Sequence, residues 1–132
     1  KKYIAFVHGR MPSERGVFRS PIEDPYRRNL KKKISAPLAI TYYKVLKVNR
    51  LYSIVEVQPV TGRTNQIRIH FSQVGNPLVG DRKYAFARDY KLKFRRTALH
   101  ASSLEWIHPV SQKQIAVESD LPKDMDQFMT HH

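Results

Sequence analysis

The spacing of apolar positions changes several times along the chain, and each change predicts an element. From Lys2 to Val7, Tyr3 and Ala5 alternate with Ile4 and Phe6, which predicts a strand with something to bury on both faces. Ala39 to Val48 alternates Thr41, Tyr43 and Val45 with Tyr42, Lys44 and Leu46. Tyr52 to Val60 then brings β-branched density at Ile54, Val55 and Val57. The two read as an antiparallel hairpin around Asn49-Arg50, although that connection lacks the glycine a two-residue turn prefers. Ile67, Phe71 and Val74 recur at i, i+4 and i+7, one apolar face of a helix. Thr64 stands at its N-cap and Gly75 at its C-terminal end.

Thr97 to Ile107 and Lys113 to Glu118 are strand-like, with Pro109-Val110-Ser111-Gln112 turning between them. Asp120 is placed to cap a last helix with Pro122 in its first turn. Leu121, Met125 and Phe128 or Met129 make its apolar stripe. Gly9 to Pro37 has little periodicity and is predicted as a loop. It holds Arg10, Arg15, Arg19, Arg27, Arg28, Lys31, Lys32 and Lys33 against Glu14, Glu23 and Asp24. It is either a solvated loop or a phosphate-gripping excursion, with Tyr26 available to stack on a base. Together the elements predict an α+β fold. A mixed, mostly antiparallel sheet should carry the central helix and the C-terminal helix packed on it. No repeat, low-complexity stretch or internal boundary divides residues 1–132.

Composition narrows the partners. A net charge of +13 and a pI near 10.2 attract polyanions, with nucleic acid ahead of an acidic protein partner. A membrane surface is the weaker option, because no long basic amphipathic helix is present. No apolar run approaches the roughly 20 residues needed to span a bilayer. There are no cysteines, so disulfides and cysteine-zinc sites are excluded. Together with the lack of a visible secretory signal, this favours a cytoplasmic setting.

The candidate chemistry gathers in Gly62-Arg63-Thr64-Asn65-Gln66-Ile67-Arg68-Ile69-His70. Arg68 is one step round from the apolar helix face. Either it snorkels to water, or it is buried and needs a carboxylate or phosphate partner. Arg63 and the free N–H groups of the helix start make an anion-friendly corner. Asp81, in Gly80-Asp81, reads as turn chemistry, its carboxylate capping nearby N–H groups. His100 and His108 have no third ligand at metal spacing and read as structural.

This stretch closely resembles the G-R-T-H-Q-(I/L)-R-x-H signature of the RluA family of RNA pseudouridine synthases. Other segments match in the family's order. They are Thr41-Tyr42-Tyr43-Lys44-Val45-Leu46, Val55-Glu56-Val57 running to Thr61-Gly62-Arg63-Thr64, and Gly75-Asn76-Pro77-Leu78-Val79-Gly80-Asp81. Arg96-Thr97-Ala98-Leu99-His100-Ala101 continues the series, and the resemblance runs from Lys1 to about Met129.

The resemblance implies a pseudouridine synthase-like fold and an isomerase that converts specific uridines of structured ribosomal or transfer RNA to pseudouridine, without cofactor or metal. It assigns Tyr3 to stack on the target base and Arg68 to pair with the catalytic aspartate. Ile67 packs at the pocket, and Asn65 stands where histidine is commoner. Arg63, Arg10, Lys31, Lys32 and Lys33 are the expected RNA contacts. The essential aspartate lies in an H-R-L-D-x-x-T-S-G segment that this chain does not contain. Residues 1–132 are therefore expected to be the C-terminal part of one catalytic domain, inactive alone, with Arg68 lacking its natural carboxylate. The rival expectation is a degenerate member that binds RNA without modifying it.

Overall fold

The computed structural model describes residues 1–23, 37–85 and 91–132. Strands β1 (Lys2–His8), β2 (Arg15–Pro21), β3 (Leu38–Val48) and β4 (Tyr52–Pro59) come first. Helix α1 (Gln66–Gln73), strands β5 (Leu99–Ile107) and β6 (Gln114–Glu118), and helix α2 (Lys123–His131) follow. The strands form one sheet in the order β2-β3-β4-β1-β5-β6. Every described pair is antiparallel, so the α+β expectation is met, with no parallel neighbour among the described residues.

β1 and β4 sit at the centre because both of their faces are apolar. Ala5, Val7, Val55 and Val57 point to one side, where Ile67 and Phe71 of α1 pack on them. Phe6, Tyr52 and Ile54 point to the other, where Met125 and Phe128 of α2 close the core. The Phe128 ring lies 5.6 Å from Phe6 and 5.1 Å from Tyr52, centroid to centroid, which fixes α2 on the sheet. The helices thus lie on opposite faces.

Three local expectations are corrected. Part of the expected loop after Gly9 is the edge strand β2, paired from Arg15↔Lys44 to Pro21↔Leu38. Its burial alternates only between exposed and half-buried, and Phe18 alone offers a large inward side chain, so its pattern was too weak to read. Gly16 is needed there, since a Cβ would meet the Tyr43 ring at 2.5 Å. At α1 the cap is Asn65, in the left-handed region at φ 57, and Thr64 lies outside it. The buried face of α1 is Gln66, Ile67, His70 and Phe71, whereas Val74 is exposed. At α2 the N-cap is Pro122 rather than Asp120.

Candidate active site

The turn into α1 is built by one glutamine. The Gln66 Oε1 accepts the Arg63 N–H at 3.0 Å and the Thr61 hydroxyl at 2.6 Å. Its Nε2 donates to the Ile40 carbonyl and to Thr41 Oγ1, each at 2.8 Å. Thr41 Oγ1 also lies 2.7 Å from Nδ1 of the fully buried His70. Two polar residues on a buried helix face are therefore tied to β3, and α1 is pinned to the sheet by hydrogen bonds as well as by Ile67 and Phe71. Burial pushes the His70 imidazole below its ordinary value, so the ring is neutral.

Pinning α1 sets the position of Arg68. Its Nε donates to Asp81 Oδ2 at 2.9 Å, and its Nη2 to Asp81 Oδ1 at 2.8 Å, a bidentate pair. Nη1 donates to Asn65 Oδ1 at 3.3 Å, and the guanidinium carbon stands 5.1 Å from the Tyr84 ring centroid. Asp81 Oδ1 also accepts the Lys83 and Tyr84 N–H groups at 3.0 and 3.1 Å. Burial by itself raises the Asp81 carboxyl. The Arg68 hydrogen bonds, with the two amides, outweigh it and hold the group below the usual carboxylate range. The pairing likewise raises Arg68 against its own burial.

This corrects one expectation and meets another. Arg68 is half-buried, as expected, but it has a carboxylate partner in the chain. The turn reading of Asp81 holds, and it missed the second role. The missed signal was simple, because Asp81 is the first acidic residue after Glu56. Glu56, twelve positions before Arg68, and Asp81, thirteen after it, are the two acidic residues nearest to that guanidinium along the chain.

Asp81 is poorly suited to be a nucleophile. Its side chain is 0% exposed, and both oxygens are committed. Arg68, by contrast, keeps 25% of its side chain exposed. Of its five N–H groups, one on each Nη has no partner among the described residues. The arrangement holds a cation rigid and leaves it able to take a further anion.

Tyr3 lies near the start of β1, opposite Val57 and Ala101. It packs half-buried against the cluster that contains Ile67, so the structure brings Tyr3 and Ile67 to one face of the sheet, with Arg68 and Asn65 on the adjoining turn of α1. Arg63 is half-buried before the helix, and its buried Nε has no partner among the described residues. Arg10 stands apart, exposed just beyond the far end of β1 from Tyr3. Lys31, Lys32 and Lys33, with Tyr26, lie outside the described residues. His100 and His108 are spent on backbone contacts. His108 Nδ1 accepts the Val110 and Ser111 N–H groups at 3.2 Å, and His100 Nε2 lies 3.2 Å from the Ser119 carbonyl. No group of three or more His, Cys, Asp or Glu that could hold a metal occurs among the described residues.

The model of the RNA pseudouridylate synthase family matches residues 1–73, which include β1, the hairpin and all of α1. The chain belongs to this family. Ribosomal large subunit pseudouridine synthase D of Blochmanniella floridana is 35% identical over 98% of the chain and 45% of its own length. Ribosomal large subunit pseudouridine synthase C of Buchnera aphidicola is 35% identical over 92% of the chain and 41% of its own length. The chain thus spans less than half the length of these curated relatives. The solved human RNA pseudouridylate synthase domain containing 4 superposes with a TM-score of 0.72 at 25% identity, over 98% of the chain and 59% of that structure. The human domain containing 1 protein shares the fold, with a TM-score of 0.69 at 22% identity, over 98% of the chain and 64% of that structure. The RluA resemblance read from Gly62 to His70 agrees with the family and with the named relatives. No helix among the described residues is long and apolar enough to cross a membrane.

Proposed function

We propose that these residues form the base-holding half of an RNA uridine isomerase, acting on structured ribosomal or transfer RNA in the cytoplasm. The observation that carries this reading is the state of Arg68, which Asp81 and Asn65 hold while two of its N–H groups remain for another anion. In the reaction, the target uridine leaves its stack, its N1–C1′ bond breaks, the uracil turns, C5 joins C1′ and gives up its hydrogen as a proton to solvent, and N1 ends protonated. Tyr3 would stack on the extruded base, and Ile67 would close the apolar side of the pocket. Arg68 would hold the catalytic aspartate of the H-R-L-D segment, supplied from outside these 132 residues. A guanidinium fixed in advance orients that carboxylate without reorganising during the reaction. Asn65 departs from the commoner histidine and serves here as an Arg68 partner. RNA would be gripped by Arg63, Arg10 and the Lys31-Lys32-Lys33 run.

The test is tritium release from RNA labelled at uridine C5, with this chain and a longer protein carrying the H-R-L-D segment side by side. Release by the longer protein alone is the expected result. Release by these 132 residues alone would refute the assignment of the aspartate to another segment. Release by neither, with RNA bound, would make the chain a binding module.

A further inference from the structure

The sheet has a second exposed surface, which the site above does not use. Directly opposed residues of an antiparallel pair point to the same side. Ile4, which packs on the α2-side cluster, opposes Glu56. Glu56 in turn opposes Lys44, and Lys44 opposes Arg15; Gln58 opposes Tyr42, and Tyr42 opposes Val17. These six residues therefore continue the α2 face of the sheet outward, on the side opposite Ile67. The helix leaves them open, with Tyr42 at 46% and Val17 at 42% exposure. They line a shallow groove of about 490 Å³.

The groove is aromatic in the middle and cationic at its rim. Arg15 and Lys44 form no ion pair among the described residues. The one carboxylate in the lining is Glu56, which stands opposite Lys44 in the sheet and has the Lys2 ammonium 3.9 Å away. A flat exposed ring beside unpaired cations is complementary to a strand whose bases can stack while its phosphates are neutralised. An acidic peptide would satisfy the cations but offers no flat group to the ring.

We propose that this groove is a sequence-tolerant platform for single-stranded RNA. One base stacks on Tyr42 against Val17, the flanking phosphates sit on Arg15 and Lys44, and the Gln58 amide meets the base edge. The inference rests on the reading that the substrate is RNA, and not on isomerisation. A strand held here leaves the Tyr3 and Ile67 face free for the target.

The test is anisotropy titration of the chain with fluorescently labelled octa-adenylate, which contains no uridine. Tyr42→Ala is expected to weaken binding about tenfold and to leave the salt slope unchanged, while Tyr42→Phe keeps full affinity. The double change Arg15→Gln, Lys44→Gln is expected to lower the salt slope by about 1.4. A Tyr42→Ala protein that melts normally and binds within twofold of the original would overturn the proposal. So would adenylate-uridylate duplex binding with the same dependence on Tyr42, or displacement of the strand by octa-glutamate at equal concentration. Tritium release is read separately, so its failure leaves the Tyr42 result standing, and the reverse holds as well.

Discussion

Arg68 on α1 and Asp81, thirteen residues later in the chain, share two parallel hydrogen bonds of 2.9 and 2.8 Å. The pair couples the helix of the family signature to the turn that follows it. A lysine could not keep this geometry, because its ammonium is a single point charge and not a planar fork. The partly exposed Arg68 is thereby held by a neighbour whose side chain is fully buried.

Asp81→Asn keeps the size of the side chain and its acceptor for the Lys83 and Tyr84 amides, but removes the charge opposite Arg68. Breaking a fully buried pair costs about 3–5 kcal/mol, and partial exposure of Arg68 reduces that to about 2 kcal/mol here. Urea denaturation measures it. The folded Asp81 carboxyl is held low, so its contribution is complete above the ordinary carboxylate value and disappears as pH falls through the folded one. That acid-side loss should be missing from the variant, and a variant as stable as the original at pH 7 would show that the pair does not hold the turn.

Gly80 just before Asp81 has φ +81, and a Cβ there would lie 1.9 Å from the Arg96 carbonyl oxygen. Gly80→Ala should therefore cost at least about 3 kcal/mol, from backbone strain and the clash together. Gly75, at φ +82 with nothing within 4 Å, supplies the comparison. Gly75→Ala should cost only about 1 kcal/mol. Equal thermal shifts for the two variants would show that the Arg96 contact is not limiting.

His8 is buried at the end of β1, and burial, followed by the nearby Lys93 charge, lowers its imidazole from 6.5 to about 4. The unfolded chain then binds more protons than the folded one between those values, so stability rises with pH across that window. On the order of 3 kcal/mol should be lost on going from pH 7 to pH 4, with His70 adding to the same trend. His8→Gln should flatten the profile, which urea midpoints at a series of pH values would show.

Neutralising Lys31, Lys32 and Lys33 together tests the basic run as an RNA contact. If all three meet phosphates of a single strand, the slope of log K against log salt should fall by about 2. An unchanged slope would remove them from the interface.

Much of the architecture was legible because it is local. The alternation at Lys2 to Val7, the density around Val55 and Val57, and the spacing of Ile67 and Phe71 reflect burial within single elements, and the structure places all of them in the core. Gly62 to His70 was legible for another reason. A turn, a helix entrance and an arginine occupy consecutive positions, so the motif is intact as a string and points to the family on its own.

β2 was not legible, because an edge strand buries little and its partners on β3 lie 17 to 29 residues downstream, from Pro21↔Leu38 to Arg15↔Lys44. The Thr41, Gln66 and His70 network, the Arg68 and Asp81 pair and the open groove at Tyr42 join residues from different elements. No periodicity within one element encodes them. The sequence by itself thus determined the helices, five of the six strands and the family. Only the tertiary structure decided which carboxylate meets Arg68 and which face α2 leaves uncovered, because those outcomes depend on how separate elements pack and on where each buried charge finds a partner.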